Sequence, residues 1–277
     1  MSKVLILGST GMLGSAVEKV LKAGEIHITV ASRTKGVLFD AVGVNLPNLI
    51  EDSGLSSGDF IVNCIGLTKA RINEDSITSR QLAVGLNIDF PNSLAEAAEN
   101  ANLKVIQVAT DCVYAGDRGS YTELEAHNAH DVYGKTKSIG EAPSVSVMHL
   151  RSSLIGPELG RSSLFYEWVR NQPQGSHIQG YKNHFWNGLT STAFARIVHG
   201  VVTSDLFKPG VQHLVPAGRV TKDELIRIEL ASLSRSDVQV EAVDAREGVD
   251  RTLNTVNAEF NKELFRAAGT YRYRTSH

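Results

Sequence analysis

Tyr133-Gly134-Lys135-Thr136-Lys137 sets a phenol and an ammonium four residues apart, one above the other if the segment is helical. A free phenol, with a pKa near 10, exchanges its proton poorly at neutral pH. A cation held beside it favours the phenolate and lowers that value. The pair therefore reads as a proton-transfer device, the alternative being a surface tyrosine and lysine that share a helix face. Thr110 closes an apolar run, where its hydroxyl either orients a substrate carbonyl or caps a loop. Gly8-Ser9-Thr10-Gly11-Met12-Leu13-Gly14 follows another apolar run. Glycines at that spacing let the backbone turn sharply and touch a pyrophosphate, which the free amides of a following helix would hold. A tight turn without ligand uses the same residues. Farther on, Ser32-Arg33-Thr34-Lys35 contains no carboxylate. Arg33 suits a 2′-phosphate and Lys35 adds charge, so NADP(H) is preferred and NAD(H) stays open. A solvated loop is the other reading. Asp40 either accepts from an adenine amino group or simply holds a turn.

The elements that must position these groups follow from hydrophobic period. Residues 3–7, 26–31, 37–39, 59–64, 103–109 and 145–150 read as strands, and 12–23, 80–100 and 132–141 as helices. Pro91 is out of place in the long helix and predicts a kink or a late start there. Strands alternating with helices predict an α/β fold, a Rossmann doubly wound parallel sheet. Beyond Arg151 the pattern loosens. Helices are expected at 162–170, 191–203, 221–233 and 258–268, strands at 212–215 and 238–243, loops at 172–180 and 208–210, and a polar tail at 269–277. The reading is a dinucleotide-binding domain over 1–150 and a smaller substrate-binding α/β domain over 151–277, with part of 183–205 returning to the first.

With 277 residues, 42% hydrophobic, 21% charged and a net charge of −2, the chain suits a folded protein rather than a disordered one. The charge balance argues against a nucleic-acid partner, and no apolar run is long enough for a membrane span. Cys64 and Cys112 read as buried reduced thiols, which points to a cytoplasmic setting. No metal site is expected: His127 and His130 lack a third ligand and read as a polar loop.

Several segments carry a resemblance. The glycine loop, Thr110 and the Tyr133/Lys137 pair, in that order, resemble the extended short-chain dehydrogenase/reductases. Asn63-Cys64-Ile65-Gly66, Thr110-Asp111-Cys112-Val113-Tyr114, Tyr121-Thr122-Glu123, Val132-Tyr133-Gly134-Lys135-Thr136-Lys137, Gly140-Glu141 and residues 150–158 are similar to the dTDP-4-dehydrorhamnose reductase family. Residues 183–190, including Phe185, Trp186 and Asn187, resemble a loop of its sugar-nucleotide reductases. The likeness implies NADPH-dependent reduction of the C4 ketone of a nucleotide-linked 4-keto-6-deoxyhexose in surface-polysaccharide synthesis. It assigns Tyr133 as the acid, Lys137 as the group that holds the ribose and lowers the tyrosine pKa, and Thr110 as the anchor of the ketone oxygen. Asn87 would support Lys137 through water, or be an ordinary helical asparagine. Ile65, Gly66 and Leu67 would line the cofactor, and Thr68, Asp111, Cys112, Trp186 and Asn187 the nucleotide-sugar substrate. Phe185 and Trp186 would either stack on substrate or plug the space between domains, and Arg151 and Arg161 either meet a diphosphate or lie on the surface. A 4,6-dehydratase would carry Asp-Glu after the threonine, whereas Cys112 follows Asp111, so the base is missing. A UDP- or GDP-sugar reductase or epimerase, a non-catalytic NADP-binding regulatory subunit, and a homodimeric state stay open.

Overall fold

The computed structural model describes residues 2–141, 143–158 and 164–269. Its main sheet begins with β1 (Val4–Leu7), β2 (Ile28–Ser32) and β3 (Val37–Leu38), and continues through β4 (Phe60–Asn63), β5 (Lys104–Ala109) and β6 (Val147–Arg151). Neighbours run parallel in the order β3-β2-β1-β4-β5-β6, with a seventh strand, Gly210–His213, added beside β6. The fold is a Rossmann-like α/β sheet. Strands covered on both faces read as unbroken apolar runs, and Val4, Leu5, Ile6 and Leu7 are all fully buried. Alternate residues feed opposite layers. Val4, Ile6, Val62, Ile106 and Met148 pack against α1 (Met12–Ala23), whereas Leu5, Leu7, Ile61 and Val105 pack against α2 (Leu46–Ser53).

The helix expected over 80–100 is three pieces in one rod. α3 (Ile77–Val84) runs into a π-helical turn, Gly85–Asp89, and then α4 (Phe90–Asn100). Pro91 stands in the first turn of α4, where its missing N–H leaves no bond unmade. The widened turn ahead of it brings Asn87 to 1% exposure inside the molecule. α2 was not anticipated, although Leu46, Leu49 and Ile50 are its buried stripe and Asn45 caps it by accepting from Asn48 N. Eight residues between loop signals is a short window in which to see a helical period.

After α5 (Val132–Ile139) and β6 the chain leaves the sheet and returns. The returning elements are α6 (Ser191–Thr203), packed on α1, the seventh strand, and α7 (Ala258–Ala267), whose Leu264 joins the same core. The excursions build small sheets. Leu154–Ile155 pairs with Leu189–Thr190, and His184–Trp186 is flanked by Val220–Thr221 and Val249–Asp250. His177–Tyr181 pairs with Gln239–Val243, the former falling partly in a stretch expected to be loop. Gly180 stands in that strand because a Cβ there would lie 2.4 Å from Asp223 Oδ1, in α8 (Lys222–Ser232). The helix expected from residue 162 spans Phe165–Arg170, and 162–163 lie outside the described residues. So does the expected tail beyond Gly269. No helix among the described residues is long and apolar enough to cross a membrane.

Two glycines of this region separate packing from propensity. A Cβ on Gly140 would lie 1.9 Å from the Asn87 carbonyl oxygen, whereas one on Gly85, which has helical φ and ψ, meets nothing nearer than 3.8 Å. Gly140→Ala should lower the thermal midpoint by several degrees. Gly85→Ala should leave it unchanged or raise stability by up to about 1 kcal/mol, both read by calorimetry.

Candidate active site

The strand order reverses between β1 and β4, which opens a crevice at their carboxyl ends. The glycine loop lies there. Gly8 has φ +77°, and a Cβ on it would come 3.0 Å from Ile65 Cγ1 and 3.3 Å from the Cys64 carbonyl carbon. Gly14 is closed to any side chain, since its Cβ would lie 2.3 Å from Gly8 O. Gly11 is different: nothing but Gly8 O, at 3.5 Å, approaches it. The protein itself does not need glycine at 11. Thr10 and Met12 flank it, Leu13 is buried beneath, and no side chain caps the amides that open α1. Ser9 Oγ is buried without a hydrogen-bond partner among the described residues. Open backbone, free amides and an orphaned hydroxyl suit a dinucleotide pyrophosphate.

Across the crevice, the loop after β4 is clamped by Asn87. Its Oδ1 accepts from Leu67 N at 2.8 Å, and its Nδ2 donates to Leu67 O at 3.0 Å and to Thr136 Oγ1 at 3.1 Å. Gly66 permits this closeness, its Cβ position lying 3.3 Å from Asn87 Oδ1. Ile65 N is held by Asn63 Oδ1, and Thr68 opens the short turn Lys69–Arg71. Thr136 is the residue before Lys137, so the Asn87 carboxamide bonds the turn of helix that carries the lysine.

Thr110, Tyr133 and Lys137 do converge. Thr110 Oγ1 accepts from Cys112 N at 3.2 Å and donates to Asp111 Oδ1 at 3.3 Å, and the Tyr133 hydroxyl lies near it. Lys137 is buried and donates to Val108 O at 2.9 Å. The expected lowering of the tyrosine pKa is not what the site does. Burial, and then the neighbouring Cys112, push Tyr133 well above its ordinary range, because desolvation disfavours the phenolate. Burial likewise lowers Lys137, with Glu141 opposing. Tyr133 thus keeps its proton at neutral pH and is a weaker acid than a free phenol. Burial raises Asp111, against the pull of Arg251, and pushes the free thiols of Cys64 and Cys112 up to about 12.

Beside this trio is a cavity of about 250 Å³ lined by Asp111, Cys112, Ser153, Trp186, Lys222 and Arg251, among others. Trp186 Nε1 donates to Ser153 Oγ at 2.9 Å. Phe185 also lines it, with the Arg219 guanidinium over its ring. Lys222 and Arg251 escaped the sequence reading. Lys222 is mostly buried, lies over the Phe165 ring and has no anionic partner among the described residues; burial alone lowers its pKa. A signal existed, since Lys222 opens α8, and a cation at a helix N-terminus opposes the dipole.

Other expectations are corrected. Asn187 does not face the cavity with a free amide, because both ends of its carboxamide bond the Leu253 backbone at 2.8 and 3.0 Å. Asp40 is an exposed turn residue that accepts from Val42 N. Ser32 Oγ accepts from Thr34 N and Lys35 N and so shapes its own loop. Arg33 is exposed, but Lys35 is paired with Glu18 of α1. Arg151 is neither on the surface nor open to a diphosphate. It is 1% exposed and bonds Glu141, Tyr114 Oη, His127 Nε2 and His213 Nε2. His127 belongs to that cluster and His130 is exposed, so the two do not converge. Arg161 lies outside the described residues.

Residues 2–155, more than half of the chain, match the family RmlD substrate binding domain. The chain belongs to this family. Its relatives include a dTDP-4-dehydrorhamnose reductase of Aggregatibacter actinomycetemcomitans, 29% identical over 77% of this chain and 73% of that protein. The beta subunit of methionine adenosyltransferase 2 from Bos taurus is 30% identical over 50% of this chain, and that match spans 41% of the subunit, well under two thirds of its length. Among solved structures, a dTDP-4-dehydrorhamnose reductase from Clostridium acetobutylicum superposes with a TM-score of 0.77 at 21% identity, over 98% of this chain and 95% of that one. One from Bacillus anthracis, in complex with NADP, gives 0.76 at 19% identity over 96% and 98%. MoeE5, in complex with UDP-glucose and NAD, gives 0.73 at 19% over 95% and 92%. These likenesses establish the RmlD-type fold.

The glycine loop yields a paired test. Gly11→Ala should keep the thermal midpoint while weakening NADPH binding by about tenfold or more, measured by titration, whereas Gly14→Ala should unfold the loop and lose both. The cluster around Arg151 yields a second. Burial, and then Arg151, lower His127 and His213 from 6.5 to about 4. Unfolded chains take up protons between those values that the folded protein refuses. Stability should be complete above pH 6.5 and fall steadily on acidification towards pH 4. His127→Gln, which still accepts from Arg151, should flatten that fall in melts recorded against pH.

Proposed function

We propose that the protein reduces the C4 ketone of a nucleotide-linked 4-keto-6-deoxyhexose with NADPH, in the synthesis of surface or deoxysugar polymers. The observation that carries this reading is the placement of the Tyr133 hydroxyl near Thr110, at the carboxyl end of β5 beside a dinucleotide crevice. Bound NADPH would supply the hydride. Thr110 would donate to the ketone oxygen and hold C4 in place. As negative charge grows on that oxygen, Tyr133 would pass it the phenolic proton, giving the alcohol. Lys137, pinned at Val108 O, would hold the cofactor ribose and steady the phenolate left behind.

In this reading residues 1–150 carry the dinucleotide, and the excursions after Arg151 carry the sugar nucleotide. Lys222 and Arg251 supply positive charge in the cavity, suited to the diphosphate. Asp111 followed by Cys112 offers no base for a C4–C6 elimination. The relationship to a methionine adenosyltransferase subunit supports a second reading, a cofactor-binding partner protein that does no chemistry.

Loss of NADPH absorbance with dTDP-4-keto-6-deoxyhexose as substrate separates the two. Under the reductase reading, Tyr133→Phe should cut kcat by about 10²–10⁴ and leave the NADPH dissociation constant unchanged. Lys222→Met should raise KM by about tenfold with kcat nearly kept. Turnover only with a UDP- or GDP-linked ketosugar would move the substrate assignment. NADPH binding without turnover of any of these would favour the partner-protein reading.

A further inference from the structure

The geometry points to Glu18 as the residue that sets discrimination between phosphorylated and unphosphorylated dinucleotides. The inference rests on the dinucleotide reading of the crevice and goes beyond it. Three charged side chains meet at the end of β2, Lys35 from the loop and Glu18 and Lys22 from α1, and Arg33 stands on the same loop. Ser32 fixes the loop, its hydroxyl accepting from Thr34 N at 3.2 Å and Lys35 N at 2.9 Å. So anchored, Lys35 reaches back to α1, and its Nζ lies 2.7 and 2.6 Å from the two Glu18 carboxylate oxygens. Lys22 Nζ shares the first of these at 2.7 Å. The Glu18 side chain is 8% exposed, against 48% for Lys35 and 60% for Lys22.

The buried member of the group is the acid, and the cations lie over it half in water. Both carboxylate oxygens are engaged, so Glu18 is not a free acceptor for a ribose hydroxyl. Its effect is on the loop's charge. Sequence alone offers two cations to a 2′-phosphate. In the fold Lys35 is already paired, and any phosphate it met would also feel the carboxylate behind it. Arg33, exposed and without an ion-pair partner among the described residues, is left as the cation whose planar fork can grip the phosphate. A dinucleotide with a free 2′-hydroxyl loses little by this arrangement. Glu18 therefore narrows the advantage that the loop's composition would otherwise give NADPH over NADH.

A merely structural Glu18–Lys35 tie would predict something else. If the pair only pinned the loop, its loss would weaken both dinucleotides alike. Titration of the purified full-length protein with NADPH and NADH, followed by nicotinamide fluorescence, distinguishes these without any turnover. Glu18→Gln keeps the shape and frees Lys35. It should tighten NADPH by about fivefold and leave NADH unchanged, the size expected of one partly exposed ion pair. Lys35→Gln should change NADPH affinity little in the wild type, yet abolish the gain in the Glu18→Gln background. Arg33→Gln should weaken NADPH and not NADH in both. An unchanged NADPH/NADH ratio in Glu18→Gln, or an equal loss of both, would overturn the proposal while leaving the dinucleotide reading intact. Binding of neither dinucleotide by the wild type would remove that reading, and the proposal with it.

Discussion

Asn87 joins three pieces of chain that carry the site, and its carboxamide leaves none of them free to move independently. One end of the group closes on the Leu67 peptide, after β4, and the other also reaches Thr136, one residue before Lys137. A regular α-helix through residues 80–100 would space its side chains evenly and would meet Pro91 in mid-helix. The π turn resolves both problems at once. It lets the rod continue past a residue without an N–H, and it turns an asparagine inward where its donors and acceptor find partners. Gly66 and Gly140 are the complement of that choice, small because Asn87 approaches each of them.

Behind the phenol, the molecule handles buried charge in a consistent way. Lys137, Glu141 and Arg151 are all buried, and each has a polar or opposite partner. The ammonium bonds a carbonyl, the carboxylate pairs with the guanidinium, and the remaining guanidinium protons go to Tyr114 and two histidines held neutral. A buried ion pair adds little to stability by itself, but removing one member leaves a bare charge in an apolar setting. The cluster therefore acts as a rigid floor beneath α5, the helix that carries Tyr133 and Lys137.

The cavity is built by return, not by succession. Its walls come from the turn after β5, the small strand His184–Trp186, the first residue of α8 and the segment around Arg251. No two of these walls are close in sequence. Trp186 is tied by one hydrogen bond to Ser153, another lining residue, and Arg251 Nε donates to Tyr114 O, which joins the Arg251 segment to the turn after β5. Lys222 stands in that enclosure without an anionic partner among the described residues.

What the sequence by itself determined is what local spacing encodes. The parallel strands, the glycine loop and the convergence of Thr110 with Tyr133 and Lys137 were legible because each rests on a period or on one motif at a strand end. The short strands after Arg151 and the eight-residue α2 fell below the length at which a period declares itself. Only tertiary structure decided the electrostatics. Arg151 and Lys35 read as available cations, and each is engaged by a carboxylate from another element, Glu141 and Glu18. Lys222, which no motif singles out, is half-buried in the cavity wall and has no anionic partner among the described residues. Charge is written in the sequence residue by residue, but availability depends on which opposite charge the fold brings within about 3 Å and on how much water it removes. Both are properties of packing between distant segments, which no local pattern records.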